Sequence, residues 1–465
     1  MPDRPHVLIL MPDQYRADCL GCAGHPIVRT PNLDRIAAEG VRFDNAYTPS
    51  PVCQPARSSF LSGLYCHNHG QWGNHGWLPR DTDTLARRLR EGYHTCHVGK
   101  SHYYPHVKGD HLARHADYFD ALGFDEVFEV TGPLATRTTD SIMTDRWRQL
   151  GCLETFRDDY RRRAEAGELN ATWPSPMPPG ETLDDFVGRT AVECVRGYDR
   201  EQPLMLFVGF GGPHSPWDPP ADWAAQYDPA EMDAPLPASQ PSEWVPAAAA
   251  AYQRRVEGHL GEIDPQTNGR IRALYYAKIS HIDSWVGAIV DAMKDRGMWD
   301  ETAVVFWSNH GEMLCDKGRL SKSVFYESSA RVPLVIRTPE RRSAGAVSPA
   351  LVNLVDLFPT ICDLAGVDSG NAGHGRSLTP LLDEPGGRVH DAVFSEIGDR
   401  TMARTETHKF VTNAAGEPLL LYDLAADQTE EVNLLGRDDC RDVQAEMRDR
   451  LLRWHLATPS RQKRG

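Results

Sequence analysis

Short apolar runs alternate with amphipathic segments along this chain, and the alternation restricts it to an α/β architecture. Strand-sized runs occur at His6–Met11, Leu204–Phe210 and Thr302–Trp307. Between them, Thr182–Tyr198 and Arg270–Arg296 carry apolar side chains at helical spacing. We therefore predict a core of buried strands connected by long helices.

The length of 465 residues exceeds the size at which one hydrophobic core keeps growing. Residues 132–179 are polar and charged, and residues 219–246 are rich in Pro and Ala, so we expect two surface insertions that shape access to a site. Beyond them, short extended segments precede a final helix from about Asp439 to Trp454. The predicted division is an α/β unit over 1–384 and a small α+β unit with an antiparallel sheet over 385–465.

The net charge of −15 disfavours nonspecific binding to nucleic acid or to an acidic membrane surface. No apolar run is long enough to cross a bilayer, and Val7–Met11 is too short for the core of a signal peptide. We therefore expect a cytoplasmic protein without membrane association. An anionic ligand would need a local concentration of cations, for which Arg57, Lys100 and Lys322 are candidates.

Polar residues directly follow two of the predicted core strands. Asp13 and Gln14 follow the first strand, and Asn309 and His310 follow Thr302–Trp307. Ligands of open α/β sheets gather at the carboxyl ends of the strands. Carboxylate and amide oxygens and imidazole nitrogens all bind divalent cations. Each residue alone is more often a turn or a helix cap, but together the two strand ends predict a divalent-metal site.

The segment Cys53-Gln54-Pro55-Ala56-Arg57 opens another predicted helix. Further segments complete a pattern in a fixed order along the chain: Thr30–Phe43, Gly99–His102, Gly212–Pro216, Ser308–Leu314 with Lys322, Arg331–Val335, Gly375–Leu378 and Leu421–Leu424. With the Cys-x-Pro-x-Arg motif, they resemble the formylglycine-dependent (type I) sulfatases of the alkaline phosphatase-like superfamily. The pair Asp13-Gln14 and the sequence Gln-Pro-Ala-Arg are similar to the phosphonate monoester hydrolases of that superfamily.

This resemblance covers most of the chain and implies a fold class: a large mixed sheet sandwiched by helices, with a smaller C-terminal α+β domain containing an antiparallel sheet. It also implies that Cys53 is oxidised to formylglycine, whose hydrate attacks the sulfur of a sulfate ester. A helix N-terminus suits such an oxygen nucleophile, because its free N–H groups and dipole favour negative charge.

The resemblance also implies a role for each site residue. The implied metal ligands are Asp13, Cys53, Asn309 and His310. The implied catalytic residues are Cys53, Arg57, Lys100, His102, His214 and Lys322. The implied substrate-binding residues are Gln14, Asn74, Lys100, His214 and Lys322.

Within that set, Arg57 would hold the diol, and Lys100 and Lys322 would clamp the sulfate oxygens. Either His214 or Lys322 would protonate the leaving alcohol. His102 would deprotonate the second hydroxyl to expel sulfate and restore the aldehyde.

One divalent ion, Mn²⁺ or Ca²⁺, is the expected cofactor. An imidazole ligand favours Mn²⁺, because Ca²⁺ prefers oxygen ligands only. Asn309 stands where many relatives carry Asp, which removes one negative charge from the metal shell. Metal affinity or preference is therefore expected to differ from theirs.

Several aromatic residues flank these segments: Trp72, Trp77, Tyr103, Tyr104 and Trp217. They are expected either to stack on a sugar or aryl group of the substrate or to pack around a buried site.

The leading functional hypothesis is a sulfuric ester hydrolase. The nearest alternative is a phosphonate monoester or phosphodiester hydrolase with the same nucleophile and metal, and the remote one is a non-catalytic anion-binding protein. The expected partners are a small anionic sulfate ester and a formylglycine-generating maturation enzyme. A homo-oligomer is left open.

Overall fold

The structure, a computed structural model, describes residues 4–167, 172–237, 245–247, 249–251, 253–254, 263–370 and 373–459. Eight strands form one large sheet. They are β1 (His6–Asp13), β2 (Val41–Tyr47), β3 (His94–Lys100), β4 (Glu126–Val130), β5 (Leu204–Pro213), β6 (Thr302–Trp307), β7 (Leu334–Arg337) and β8 (Ala346–Asn353).

The large sheet is mixed, with the strand order β4-β3-β5-β1-β6-β7-β2-β8. From β4 to β6 all neighbouring strands are parallel, whereas β7 is antiparallel to both β6 and β2. The carboxyl ends of β3, β5, β1 and β6 therefore lie side by side at one edge of the sheet, where α/β proteins bind their ligands.

Helices cover both faces of this sheet. They are α1 (Pro31–Ala38), α2 (Cys53–Ser62), α3 (Cys66–His69), α4 (Leu85–Leu89), α5 (Ala116–Leu122), α6 (Ile142–Gln149), α7 (Leu153–Glu165), α8 (Leu183–Arg196), α9 (Ala221–Ala224), α10 (Pro265–Asp295), α11 (Glu327–Ala330), α12 (Leu357–Leu364) and α13 (Thr379–Asp383).

Alternate residues of β1 enter two separate cores, as the period of a strand requires. Leu8 and Leu10 pack with α8 and α10 on one face. Val7, Ile9 and Met11 pack with α2, α4 and α12 on the other. The predicted fold class, a large mixed sheet sandwiched by helices, is confirmed.

The first predicted insertion packs more deeply than expected. Within 132–179, α6 and α7 bury Trp147, Phe156 and Tyr160 in the core that also contains Leu8. The few apolar side chains of these helices lie on one helical face and pack into the core, and the predicted role of the insertion in access to a site stays a prediction. Residues 168–171, and residues 238–244 of the second predicted insertion, lie outside the described residues.

The C-terminal part is an antiparallel four-stranded sheet with one long helix, as predicted. It comprises β9 (Val393–Ile397), β10 (Arg400–Arg404), β11 (His408–Asn413), β12 (Pro418–Asp423) and α14 (Arg441–Ala457). The indole of Trp454 on α14 stacks on Phe394 with ring centroids 4.6 Å apart, which fixes the helix to the sheet. In the part of the chain that the structure describes, no helix combines the length and apolar character needed to cross a bilayer.

His97 on β3 is a buried histidine that lies just before the segment Gly99–His102. Its ring lies parallel to that of Phe207 with centroids 4.8 Å apart, and neither ring nitrogen has a hydrogen-bond partner among the described residues. Burial, helped by the charge of Arg57, lowers the pKa of His97 from 6.5 to about 3. The folded protein therefore holds this imidazole neutral under conditions in which an unfolded chain protonates it.

We predict that His97→Phe makes the protein less sensitive to acid. Below pH 6.5 the unfolded state takes up a proton at His97 that the folded state refuses until about pH 3, so stability falls as the pH falls. This group contributes a loss of about 1.4 kcal/mol per pH unit, which phenylalanine would abolish. Urea unfolding at about pH 7.5 and about pH 5.5 measures the difference. Equal acid sensitivity of variant and parent would contradict the prediction.

Candidate active site

Five chain segments converge at the carboxyl edge of the large sheet. Asp13 is the last residue of β1 and Lys100 the last of β3, while His214 directly follows β5. Asn309 and His310 follow β6, and Cys53 is the first residue of α2. The parallel order of β3, β5, β1 and β6 accounts for this convergence of residues that are far apart in sequence.

The carboxylate of Asp13 lies at the centre of the site and is fully buried. Its Oδ2 accepts hydrogen bonds from Lys100 and, at 3.2 Å, from Arg57. Its Oδ1 accepts one from Nδ2 of Asn309 at 2.9 Å. Burial alone would raise the pKa of Asp13, but Lys100 and Arg57 hold it well below its usual value. Asp13 is therefore a buried anion balanced by two cations.

Asp13, Cys53 and His310 form a cluster with the chemistry of a metal site. The Sγ of Cys53 lies 3.1 Å from Nε2 of His310 and 3.7 Å from Oδ1 of Asp13. The distance between Nε2 of His310 and Oδ1 of Asp13 is 3.6 Å. Nδ1 of His310 lies 3.0 Å from the carbonyl of Gly311 and donates to it, which directs Nε2 toward the cluster. Carboxylate, imidazole and an atom at the Cys53 position fit a divalent cation.

The thiol of Cys53 lies in a field that favours its anion. Burial and Asp13 would raise its pKa, but Lys322, His310 and Lys100 bring it well below the usual value. The N-terminus of α2 adds its dipole in the same sense.

Asn309 contacts Asp13, but its carboxamide oxygen faces away from the cluster. Its Oδ1 accepts the backbone N–H groups of Gln14 and His310, both at 3.0 Å. Because backbone nitrogens only donate, these bonds assign the amide orientation and leave Nδ2 directed at Asp13. The predicted role of Asn309 as a metal ligand stays a prediction, and in this geometry it requires the amide to turn.

A second chain of contacts joins Lys322, Gln14 and His214. The ammonium of Lys322 donates to Oε1 of Gln14 and, over 2.7 Å, to Nε2 of His214. Nδ1 of His214 lies 2.5 Å from the carbonyl of Ser215 and donates to it, so the imidazole proton is on Nδ1. Burial and Lys322 lower the pKa of His214 to about 4. His214 is thus neutral, and the proton between the two residues belongs to Lys322.

Glu312 lies in the same Asn-His-Gly-Glu segment as two predicted ligands, but the sequence alone predicts no role for it. Its carboxylate is fully buried and accepts a hydrogen bond from Nε2 of Gln14. It also accepts the backbone N–H of Leu314 at 3.0 Å. Glu312 thereby fixes which end of the Gln14 amide faces Lys322. The only sequence signal for this role of Glu312 is its position in the Asn-His-Gly-Glu segment.

Arg57 lies one turn after Cys53 on α2, and His102 contacts Cys53. Arg57 donates to the carbonyls of Lys100 and Ser101, at 2.5 and 3.3 Å, and so fixes the loop that precedes His102. Burial lowers the pKa of His102 to about 3, although its hydrogen bond with Cys53 acts in the opposite direction. A neutral imidazole beside Cys53 can accept a proton from that position.

Asn74 lies against the first turn of α2, and its side chain is already engaged. Its Oδ1 accepts the backbone N–H of Gln54 at 3.0 Å, in the first turn of α2. Its predicted contact with substrate stays a prediction. Two histidines at α3, which precedes Asn74, are also engaged: His67 pairs with Glu396 and His69 with Ser59.

Known proteins resemble this chain over most of its length. A sequence model of the Sulfatase family matches residues 5–367, and a model described as the C-terminal part of N-sulphoglucosamine sulphohydrolase matches residues 315–456. An arylsulfatase of Clostridium perfringens is 29% identical over 94% of this chain and 92% of its own. The multifunctional alkaline phosphatase superfamily protein PehA of Trinickia caryophylli is 28% identical over 98% and 96%.

Among solved structures, the phosphonate monoester hydrolase of Agrobacterium radiobacter is similar with a TM-score of 0.80. It is 27% identical, and the match covers 98% of this chain and 96% of that one. Since the family match spans well over half of the sequence and the relatives match over nearly their whole length, the chain belongs to the sulfatase family of hydrolases, within the alkaline phosphatase-like superfamily.

Proposed function

We propose that this protein hydrolyses a sulfate monoester to an alcohol and inorganic sulfate, with a nucleophile derived from Cys53. The observation that carries the proposal is the convergence of Cys53, at the N-terminus of a buried helix, with Arg57, Lys100 and Lys322. Three cations in one pocket give this acidic chain a local site for an anion. Membership of the sulfatase family supports the same reaction.

The nucleophile requires that Cys53 be oxidised to formylglycine by a maturation enzyme. Hydration of the aldehyde would place two hydroxyl groups where Sγ now lies, 3.1 Å from His310 and in contact with His102. Arg57 and the helix N-terminus would stabilise negative charge on the attacking oxygen.

A divalent cation fits among Asp13, His310 and the residue derived from Cys53, and when bound it would act as a Lewis acid that lowers the pKa of the nucleophile. Lys100 and Arg57 keep Asp13 ionised and in place for this role. We propose Mn²⁺ in preference to Ca²⁺, because one donor is an imidazole nitrogen.

The proton transfers follow from the hydrogen bonds of the site. Lys322 holds a proton that it shares with the acceptor nitrogen of His214, so Lys322 is the donor to the leaving alcohol and His214 orients it. On the other side, neutral His102 accepts the proton of the second hydroxyl, which releases sulfate and restores the aldehyde. Each such transfer contributes about 10²–10⁴-fold to the rate.

The direct test is sulfate release by protein that was co-expressed with a maturation enzyme. We expect turnover of aryl sulfates, and loss of more than about 10³-fold in Cys53→Ala, because the nucleophile is absent. Mass spectrometry of the peptide that contains Cys53 provides the control, since it distinguishes aldehyde from thiol. A fully modified protein that released no sulfate would overturn the proposal, and an unmodified thiol in the native host would favour the anion-binding alternative.

The same assay examines the second candidate function. The Asp13-Gln14 pair and the similarity to the phosphonate monoester hydrolase structure favour a phosphonate monoester or phosphodiester substrate. Higher kcat/KM for bis(4-nitrophenyl) phosphate or a phenyl phosphonate ester than for 4-nitrophenyl sulfate would establish that alternative.

We predict that Asn309→Asp changes stability in opposite directions with and without metal. Its Oδ1 would keep the two backbone N–H donors, while the second oxygen would replace Nδ2 beside Asp13. Without metal, two carboxylates then face each other, so the Tm of the variant should lie below that of the parent. With Mn²⁺, the additional ligand should raise the affinity for the ion by at least about tenfold, so Mn²⁺ should raise the Tm of the variant more than that of the parent. Thermal unfolding and Mn²⁺ titration calorimetry measure both effects. An unchanged affinity would exclude this geometry.

We predict that Lys322→Gln impairs substrates with poor leaving groups most. 4-Nitrophenolate leaves without a proton, whereas an alkoxide requires one, so the loss of kcat should be about 10²-fold greater for an alkyl sulfate than for 4-nitrophenyl sulfate. His214→Gln is the matched control, because glutamine still offers an acceptor to Lys322. Steady-state kinetics with both esters decide the point. A steeper dependence on the leaving group in His214→Gln would assign the proton donor to His214 instead.

A further inference from the structure

We propose that Trp77, together with Trp72, forms a platform that stacks on the organic group of the substrate. The inference builds on the proposed function and names the substrate class: sulfate esters whose alcohol portion presents a flat face, such as an aryl ring or a pyranose. The two indoles would hold that group while the cations of the site hold the sulfate.

The loop that carries both tryptophans is fixed against the nucleophile's helix. Asn74 in the middle of the loop caps the backbone N–H of Gln54, the residue after Cys53. The side chain of Gln54 donates to Oε1 of Gln71 at 2.9 Å, and Gln71 donates to the carbonyl of Trp77 at 2.7 Å. Gln54 also donates to the carbonyl of Gly76, so the first turn of α2 contacts the loop 71–77 at Gln71, Asn74 and Gly76.

A row of rings connects the nucleophile with Trp77. His102 contacts Cys53, and its ring centroid lies 5.1 Å from that of His106. His106 lies 5.4 Å from Tyr104, and Tyr104 lies 4.7 Å from Trp77 in a stacked arrangement with an interplanar angle of 22°. Trp77 is therefore the exposed outer end of a row of packed rings whose inner end, His102, contacts Cys53.

The structure separates the flanking aromatic residues into two groups. Tyr103, Tyr104 and Trp217 are buried and serve packing, whereas Trp72 and Trp77 are each 44% exposed. Trp77 is also held in place from the side, since its ring meets Tyr118 edge-on at 5.0 Å. A large aromatic side chain that is both oriented and exposed binds a flat ligand with little further loss of conformational entropy.

The test compares a ligand with a flat face and one without. For Trp77→Ala we expect KM for 4-nitrophenyl sulfate and the inhibition constant of benzylsulfonate, a non-hydrolysable ring-bearing anion, to rise about 5- to 50-fold. The kcat and the inhibition constant of inorganic sulfate should stay within about twofold, because the platform does not touch the sulfate. Trp77→Phe, which keeps a flat ring, should restore most of the affinity, and Trp72→Ala should show a smaller loss of the same kind.

Leu150→Ala is the control for truncating an exposed apolar side chain elsewhere, since Leu150 is 52% exposed. Equal benzylsulfonate constants for parent and Trp77→Ala would overturn the platform. So would a parallel rise in the sulfate constant, which would show that Trp77 only supports the loop. Benzylsulfonate binding is also measured by calorimetry on unmodified protein with the Cys53 thiol. Failure of the parent to release sulfate would therefore refute the proposed function alone.

Discussion

The site depends on one buried charge, the carboxylate of Asp13 at the end of β1. Removed from water, it would be unstable without compensation, and Lys100 and Arg57 supply that compensation from β3 and α2. The same contacts orient the carboxylate toward Cys53 and His310. Because β1 lies between β5 and β6 in the sheet, one anion fixes the relative positions of the segments that form the pocket.

This arrangement concentrates cationic side chains at one place in an acidic protein. The net charge of −15 would repel a sulfate ester at a distance, yet Lys322 reaches the site from a loop beyond β6. Two successive hydrogen bonds orient its partner Gln14: Nε2 of Gln14 donates to Glu312, and Oε1 of Gln14 accepts from Lys322. The neutral state of His214 follows from its burial and from the neighbouring charge of Lys322, which together lower its pKa to about 4.

The polar residues that follow core strands and the order of the motifs were sufficient to predict the fold class. They also predicted that Asp13, Cys53 and His310 lie close together. They could not give the orientation of the Asn309 amide, which depends on two backbone donors that only the folded chain supplies. They also missed Glu312, because the sequence does not show whether the side chain of a glutamate is buried or solvated. The packing of α6 and α7 into the main core was missed because their few apolar residues are outnumbered by charged ones.

The most direct measurement is anomalous diffraction at the manganese edge from crystals of the matured protein grown with Mn²⁺. We expect one peak at the carboxyl edge of the large sheet, within about 2.0–2.4 Å of Asp13 and His310 and of an oxygen from the residue derived from Cys53. A peak elsewhere would contradict it, and so would Asp13 remaining paired with Lys100 and Arg57 with no metal bound at saturating Mn²⁺.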